Sequence, residues 1–207
     1  MTEASRFVLL GTGGNFTLQV LQRLIGQSFI PLCYIQSGTS PVSDTPPLSI
    51  AQIEIQQPES VLKQLLDNNN IPLYSPSSHT LAALILQQQA DYLLVACWPW
   101  LLSNDVIQAV SIAALNLHPS LLPAYRGPDP ITQQMLLEDH RFGVSLHLLN
   151  EYFDQGDIVL QQPLTASGPA PKQLVETMAA EIGAELFMQA VSTQLTPGWQ
   201  LRKQATV

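Results

Sequence analysis

The sequence predicts an α/β protein, a doubly wound and mostly parallel sheet with an antiparallel addition near the C-terminus. Three observations lead there. Over the first two-thirds of the 207 residues, short apolar runs suited to strands buried on both faces alternate with stretches of helical spacing. After residue 141 two strand-like runs, FGVSLHLL and DIVLQQPL, follow with no helical period between them, which suits antiparallel pairing. The composition, 46% hydrophobic and 12% charged, is ample to bury a core. The expected organisation is one domain over 1–191 followed by a short tail, 192–207.

The elements read in order. RFVLLG (6–11) is a buried strand, GTGGN a turn, and FTLQVLQRLIG a helix that Gly26 ends. FIPLCYIQ (29–36) is a second strand. Residues 37–49, rich in Ser, Thr and Pro, form a loop within the domain. PESVLKQLLDNNN is a helix, IPLYS a short strand and HTLAALILQQQ another helix. DYLLVACW is a strongly apolar strand, and SNDVIQAV a short helix with Ser103 as its expected cap. AALNLH is the next strand, Asp129 to Glu138 is helical, and residues 170–191 suit a long closing helix.

Charge narrows the partners. Eight Lys and Arg stand against sixteen Asp and Glu, a net charge of −8, which leaves little for a basic patch. A large tRNA or DNA partner is therefore disfavoured and a small-molecule partner expected. Cys33 and Cys97 sit far apart in apolar surroundings and read as free thiols in a reducing compartment. The N-terminus reads as the first strand rather than a signal peptide, and no apolar run approaches a membrane span. The expected location is cytoplasmic, with no membrane partner.

Chemistry concentrates in two places. Gly11, Gly13, Gly14 and Asn15 follow a strand and open a helix, but the third dinucleotide-fingerprint glycine falls on Phe16. Three readings stay open there: an anion cradle at a helix N-terminus, a structural turn, or a nicotinamide site. The second place is LNLHPSLLPAYRGPDP (115–130), where Asn116 and His118 share one face of a strand that then breaks into prolines. FDQGD adds Asp154 and Asp157 around a glycine. A carboxylate beside the imidazole fixes its tautomer and raises its pKa, and an amide donor stabilises an oxyanion. Such a set suits acyl transfer to an amine without a covalent intermediate.

NLHPSLLP with Arg126-Gly127, then GVSLH, then FDQGDIVLQ with Asp154 thirty-six residues after His118, resembles the 10-formyltetrahydrofolate-dependent formyltransferases. The resemblance spans about residues 5–190 and implies a Rossmann-like fold. It implies Asn116, His118 and Asp154 as the catalytic trio, Ser145 and His147 as supporting residues, and 10-formyltetrahydrofolate as formyl donor with no metal. It also implies a folate pocket between the fourth strand and the helix after it, formed here by Cys97 to Leu102 together with Asp154. Trp98, Trp100, Leu101 and Leu102 are its expected cofactor-binding side chains; two tryptophans so close are unusual for the family, and either may cover the ligand or pack on the core.

Gly11, Gly13, Gly14, Asn15 and Arg126 are the expected acceptor-binding residues, suited to a small, phosphate-bearing amine. Formyltetrahydrofolate hydrolysis, methionyl-tRNA formylation and a non-catalytic folate or nucleotide binder are the alternatives.

Overall fold

The computed structural model describes residues 5–37, 59–75, 78–165, 170–193 and 201–204. Apart from Ser37, the expected 37–49 loop lies outside the described residues. The first apolar run forms β1 (Phe7–Gly11), buried at every position, and Asn15–Gly26 forms α1. The next strands are shorter than their apolar runs: β2 is Cys33–Gln36 and β3 Leu73–Tyr74. Pro31 and Pro72 have no N–H to give to a ladder, so pairing starts only beyond them. Between these strands lies α2 (Glu59–Asn68), and α3 (Ser78–Gln88) follows β3.

β4 (Tyr92–Ala96) leads through a non-regular stretch to the four-residue α4 (Asn104–Ile107). Ser103 does occupy the N-cap of α4 with extended backbone, but its hydroxyl makes no capping hydrogen bond. β5 is Ala113–His118, and α5 is Pro130–Leu136. Asp129 caps α5 by accepting from the Thr132 N–H at 3.2 Å, and Pro130 takes the first turn, where its missing N–H costs nothing. β6 (Gly143–Leu148), β7 (Ile158–Pro163) and α6 (Lys172–Ser192) complete the order.

The seven strands form one sheet in the order β3-β2-β1-β4-β5-β6-β7. Pairs from β3 across to β5 are parallel, while β5–β6 and β6–β7 are antiparallel, as the sequence pattern indicated. Alternate strand residues feed two cores. Phe7, Leu9, Tyr34, Leu94 and Leu115 face α1, α2 and α6, whereas Val8, Leu10, Ile35, Leu93 and Ala114 face α3 and α4. The order reverses between β1 and β4, and in open α/β sheets ligands bind beyond the carboxyl ends at such a point. Ala114, Asn116 and His118 share the β5 face that looks toward α3 and α4. Polarity begins where the apolar cover of that face ends.

Gly11 has a packing role. A Cβ there would stand 2.3 Å from Thr17 Cγ2 and 2.8 Å from the Ala96 carbonyl oxygen. The same carbonyl accepts from the Thr17 hydroxyl at 2.7 Å, which locks α1 onto the junction of β1 and β4. Gly11→Ala is expected to destabilise the protein by about 1–3 kcal/mol, the range for overpacking a close-fitted interior, measured by denaturant unfolding.

Candidate active site

β5 and β6 set the site through their register. Asn116 lies opposite His147 and His118 opposite Ser145, so four polar side chains share one face of two neighbouring strands. His118, Ser145 and His147 are buried and Asn116 is half-buried. The loop after β6 brings Asp154 onto this patch. Its Oδ1 lies 3.4 Å from His118 Nδ1 and 3.5 Å from His147 Nε2, and accepts from Asn116 Nδ2 at 3.3 Å. The three residues singled out by sequence do converge.

Backbone carbonyls define both imidazole tautomers. His118 Nε2 is 2.8 Å from the Tyr125 carbonyl oxygen, which can only accept, so Nε2 carries a hydrogen. The proton-exchanging nitrogen is then Nδ1, the one that faces Asp154. His147 Nδ1 donates likewise to the Leu148 carbonyl at 2.8 Å, leaving Nε2 to accept from Asn116 Nδ2 at 3.0 Å. The Asn116 amide thus directs its hydrogens at His147 and Asp154. Donating to an oxyanion requires the longer contact, to Asp154, to give way.

Ser145 does different work. Its hydroxyl donates to the Ser120 carbonyl at 2.6 Å and accepts from the Leu122 N–H at 3.0 Å and Gln161 Nε2 at 2.7 Å. It braces the turn after β5.

Burial and charge oppose each other at His118. Burial disfavours the imidazolium and wins, so the pKa falls below the ordinary 6.5 although Asp154 and the Tyr125 carbonyl push it up; His147 adds to the fall. The sequence-based expectation of a raised pKa is corrected on this point. His118 is neutral at pH 7, with Nδ1 ready to take a proton. Burial also opposes ionisation of Asp154, yet the His118 and His147 imidazoles and the Gly127 N–H, donating to Oδ2 at 2.9 Å, hold its carboxyl at about 2. The carboxylate is therefore charged across the physiological range. The lowered His118 pKa contributes stability above about 6.5 that is lost as pH falls through the folded value.

A cleft of about 110 Å³, open to solvent at its mouth, runs from this patch along the end of β4. Trp98, Trp100, Leu101 and Leu102 form one wall, Gly127, Pro128 and Pro130 another, and Phe153 and Asp154 a third. The Trp98 and Trp100 indole N–H groups are buried with no acceptor among the described residues. Trp98 also packs against the α3–α4 core. Three non-glycine residues around the site hold left-handed backbone: Cys97 (φ 62°), Tyr125 (φ 57°) and Asp154 (φ 55°). Such strain gathers at functional sites because the surrounding structure over-determines it. Both cysteines are free, and burial pushes the thiols up to about 12, which leaves them protonated and unreactive.

The expected acceptor residues have partners of their own. Gly13 has φ 81°, which explains a glycine there, but the Gly14 N–H turns to the Thr12 hydroxyl at 3.3 Å. Asn15 Nδ2 donates to Glu176 at 3.0 Å, and Lys172 lies 3.0 Å from Asp129 and 3.8 Å from Glu176. A carboxylate beside Asn15 disfavours an anion at that point. Arg126 Nε and Nη2 donate to Gln204 Oε1 at 3.1 and 2.7 Å. Tyr125, Gly127 and Gln204 escaped the sequence reading, since backbone groups and a distant glutamine carry no local signature.

A sequence profile of one family, described as formyl transferase, matches residues 45–191. The chain belongs to the formyl transferase family. Over 191 residues it is 30% identical to a methionyl-tRNA formyltransferase of Methylacidiphilum infernorum, covering 90% of this chain and 56% of that one. It spans about half the length of the curated relatives it matches. The phosphoribosylglycinamide formyltransferase structure from Anaplasma phagocytophilum aligns with TM-score 0.71 at 15% identity, covering 99% of this chain and 97% of that one. A formyltetrahydrofolate deformylase from Pseudomonas syringae aligns with TM-score 0.71 at 17% identity, covering 99% and 67%. These two likenesses show the shared fold. The charge-based expectation that tRNA is disfavoured finds no support in the methionyl-tRNA formyltransferase relatives. Among the described residues no helix is long and apolar enough to cross a membrane.

In histidine ¹⁵N NMR titrations His118 is expected to titrate below 6.5. Asp154→Asn should move its midpoint lower still, because the mutation removes the carboxylate that favours the imidazolium. An upward shift would contradict the balance described. Gly156→Ala should displace the Asp154 loop, because a Cβ there would lie 1.7 Å from the Leu148 carbonyl oxygen. Loss of the perturbed His118 titration in that variant is the expected readout.

Proposed function

We propose that this formyl transferase family member moves a formyl group from 10-formyltetrahydrofolate to the amine of an acceptor. One observation carries the reading: a neutral, buried imidazole and an ionised carboxylate meet an amide in the wall of a largely apolar cleft. The cleft suits a flat heterocycle, with apolar side chains for its faces and backbone groups at a strand end for its edge. When bound, the donor supplies an activated formyl carbon. His118 Nδ1 takes the proton that the attacking amine sheds, Asp154 stabilises the imidazolium so formed, and His118 returns that proton to the donor nitrogen as its bond to the formyl carbon breaks. Asn116, released from its 3.3 Å contact with Asp154, donates to the developing oxyanion. His147 keeps the Asn116 amide oriented by accepting its other hydrogen.

The acceptor end is assigned from charge. Glu176 lies against Asn15, and Lys172 bridges it to Asp129, which stands in the chain between the cleft residues Pro128 and Pro130. Two carboxylates around one ammonium favour hydroxyl or amine groups of an acceptor over its phosphate. Arg126, the other half of the expected phosphate site, already gives Nε and Nη2 to Gln204. The acceptor therefore turns a hydroxyl-bearing face to Asn15 and Glu176. Glu176→Gln should raise acceptor KM several-fold; a fall would restore the phosphate reading.

A panel of amines with 10-formyltetrahydrofolate tests the activity: glycinamide ribonucleotide, an amino-sugar nucleotide, methionyl-tRNA and a blank without amine. Methionyl-tRNA belongs in it because the relatives are methionyl-tRNA formyltransferases. Transfer to one amine is expected, and His118→Ala should cost at least about a hundredfold in rate. Formate release in the blank alone would make the protein a hydrolase, a reading favoured by the fold shared with a deformylase. Donor binding without turnover would leave a binder. Trp100→Ala should weaken donor binding; unchanged affinity would assign that ring to packing.

A further inference from the structure

The C-terminal stretch Leu201–Gln204, expected from sequence to be part of a tail, docks on the sheet. Arg202 and Ile158, the first residue of β7, exchange backbone hydrogen bonds of 3.0 and 2.9 Å. The Arg202 guanidinium donates to Gln161 Oε1, and Gln161 Nε2 in turn donates to the Leu122 carbonyl at 3.0 Å and to Ser145 Oγ. Two residues further on, the Gln204 amide is used at both ends. Its Nε2 donates to the carbonyl oxygens of Asp154 at 2.9 Å and Gly156 at 2.7 Å, and its Oε1 accepts from Arg126 Nε and Nη2.

These partners lie on the two stretches of backbone that orient the His118–Asp154 pair. Arg126 stands between Tyr125, whose carbonyl holds His118 Nε2, and Gly127, whose N–H holds Asp154 Oδ2. Asp154 itself has φ 55°, a conformation that a non-glycine residue keeps only when its surroundings enforce it. Gly156 allows the loop to pass against Leu148 but does not fix where the Asp154 carbonyl points. Gln204 Nε2 donates to that carbonyl and to the carbonyl of Gly156, and Gln204 Oε1 ties both to Arg126. A primary amide with two hydrogens and two lone pairs engaged has one orientation, so the link is rigid.

We infer that Gln204 is a positioning residue for the His118–Asp154 pair, joining the two loops of the site at the end of a strap of backbone that Arg202 pins to β7. The inference rests on the proposed roles of His118 and Asp154, but its physical content, a carboxylate held against an imidazole, is measurable without any formyl transfer. Asp154 and His147 are the titratable groups that face His118, with the Tyr125 carbonyl on its other nitrogen. Loosening the Asp154 loop removes the larger influence that raises the His118 pKa and leaves the Tyr125 carbonyl alone against burial. The midpoint must then fall.

The test uses the full chain, labelled with ¹⁵N, as wild type, Gln204→Met, Gln204→Ala and, as a control on the same strap, Lys203→Ala. In both Gln204 variants the His118 midpoint is expected to fall by about half a pH unit, and hydrogen exchange at the Gly127 N–H to quicken as its Asp154 acceptor drifts. Lys203→Ala should match wild type in both. With the best acceptor from the amine panel, kcat should fall about tenfold while donor KM changes less than about twofold, the pattern of lost alignment rather than lost binding. An unchanged His118 midpoint and unchanged Gly127 exchange in the two folded Gln204 variants would overturn the proposal. A shifted midpoint in a protein that formylates no amine would uphold the strap and remove the formyl-transfer reading instead.

Discussion

The site depends on the register of β5 against β6. Antiparallel pairing sets Asn116 opposite His147 and His118 opposite Ser145. A slip of one residue along β6 would turn Ser145 and His147 to the opposite face of the sheet and set apolar neighbours beside Asn116 and His118. Leu115, Leu117, Val144 and Leu146 hold the register by burying the other face under α6. The long closing helix therefore fixes the chemistry from the far side of the sheet.

Once that patch exists, two opposing effects tune it. Burial by itself would protonate Asp154 and deprotonate His118. The second outcome occurs and the first does not, because Asp154 has several donors within reach while His118 has one carboxylate and one carbonyl. A charged acceptor of protons thus sits beside a neutral base. This division of states between two neighbouring groups suits a reaction in which a proton leaves an amine while negative charge grows on a carbonyl oxygen.

The surrounding loops are strained where they meet the cleft, and the strain is countered from outside. Cys97 follows the end of β4, Tyr125 has its hydroxyl tied to Asp139 at 2.6 Å, and Asp154 is held through Gln204. Arg141 in turn grips Asp139 with two hydrogen bonds of 2.8 Å, which holds that carboxyl well below the usual carboxylate range. Each tether fixes a backbone group that no side-chain motif would reveal.

The sequence by itself determined the alternation of strands and helices, the antiparallel end of the sheet and the family, and through that resemblance it singled out Asn116, His118 and Asp154, whose convergence the tertiary structure decided. Those features are local: hydrophobic period, proline and glycine punctuation, and a motif whose residues share a strand face or flank a turn. Tertiary structure alone decided the rest. Ser145 braces a turn, Gly11 serves packing, Glu176 lies against Asn15 across 161 residues of chain, and Gln204 reaches Asp154 across 50. The His118 pKa moved opposite to expectation for the same reason. A neighbouring carboxylate can be read from a motif, but the depth of burial that outweighs it is a sum over residues brought together only when the sheet and its helices close.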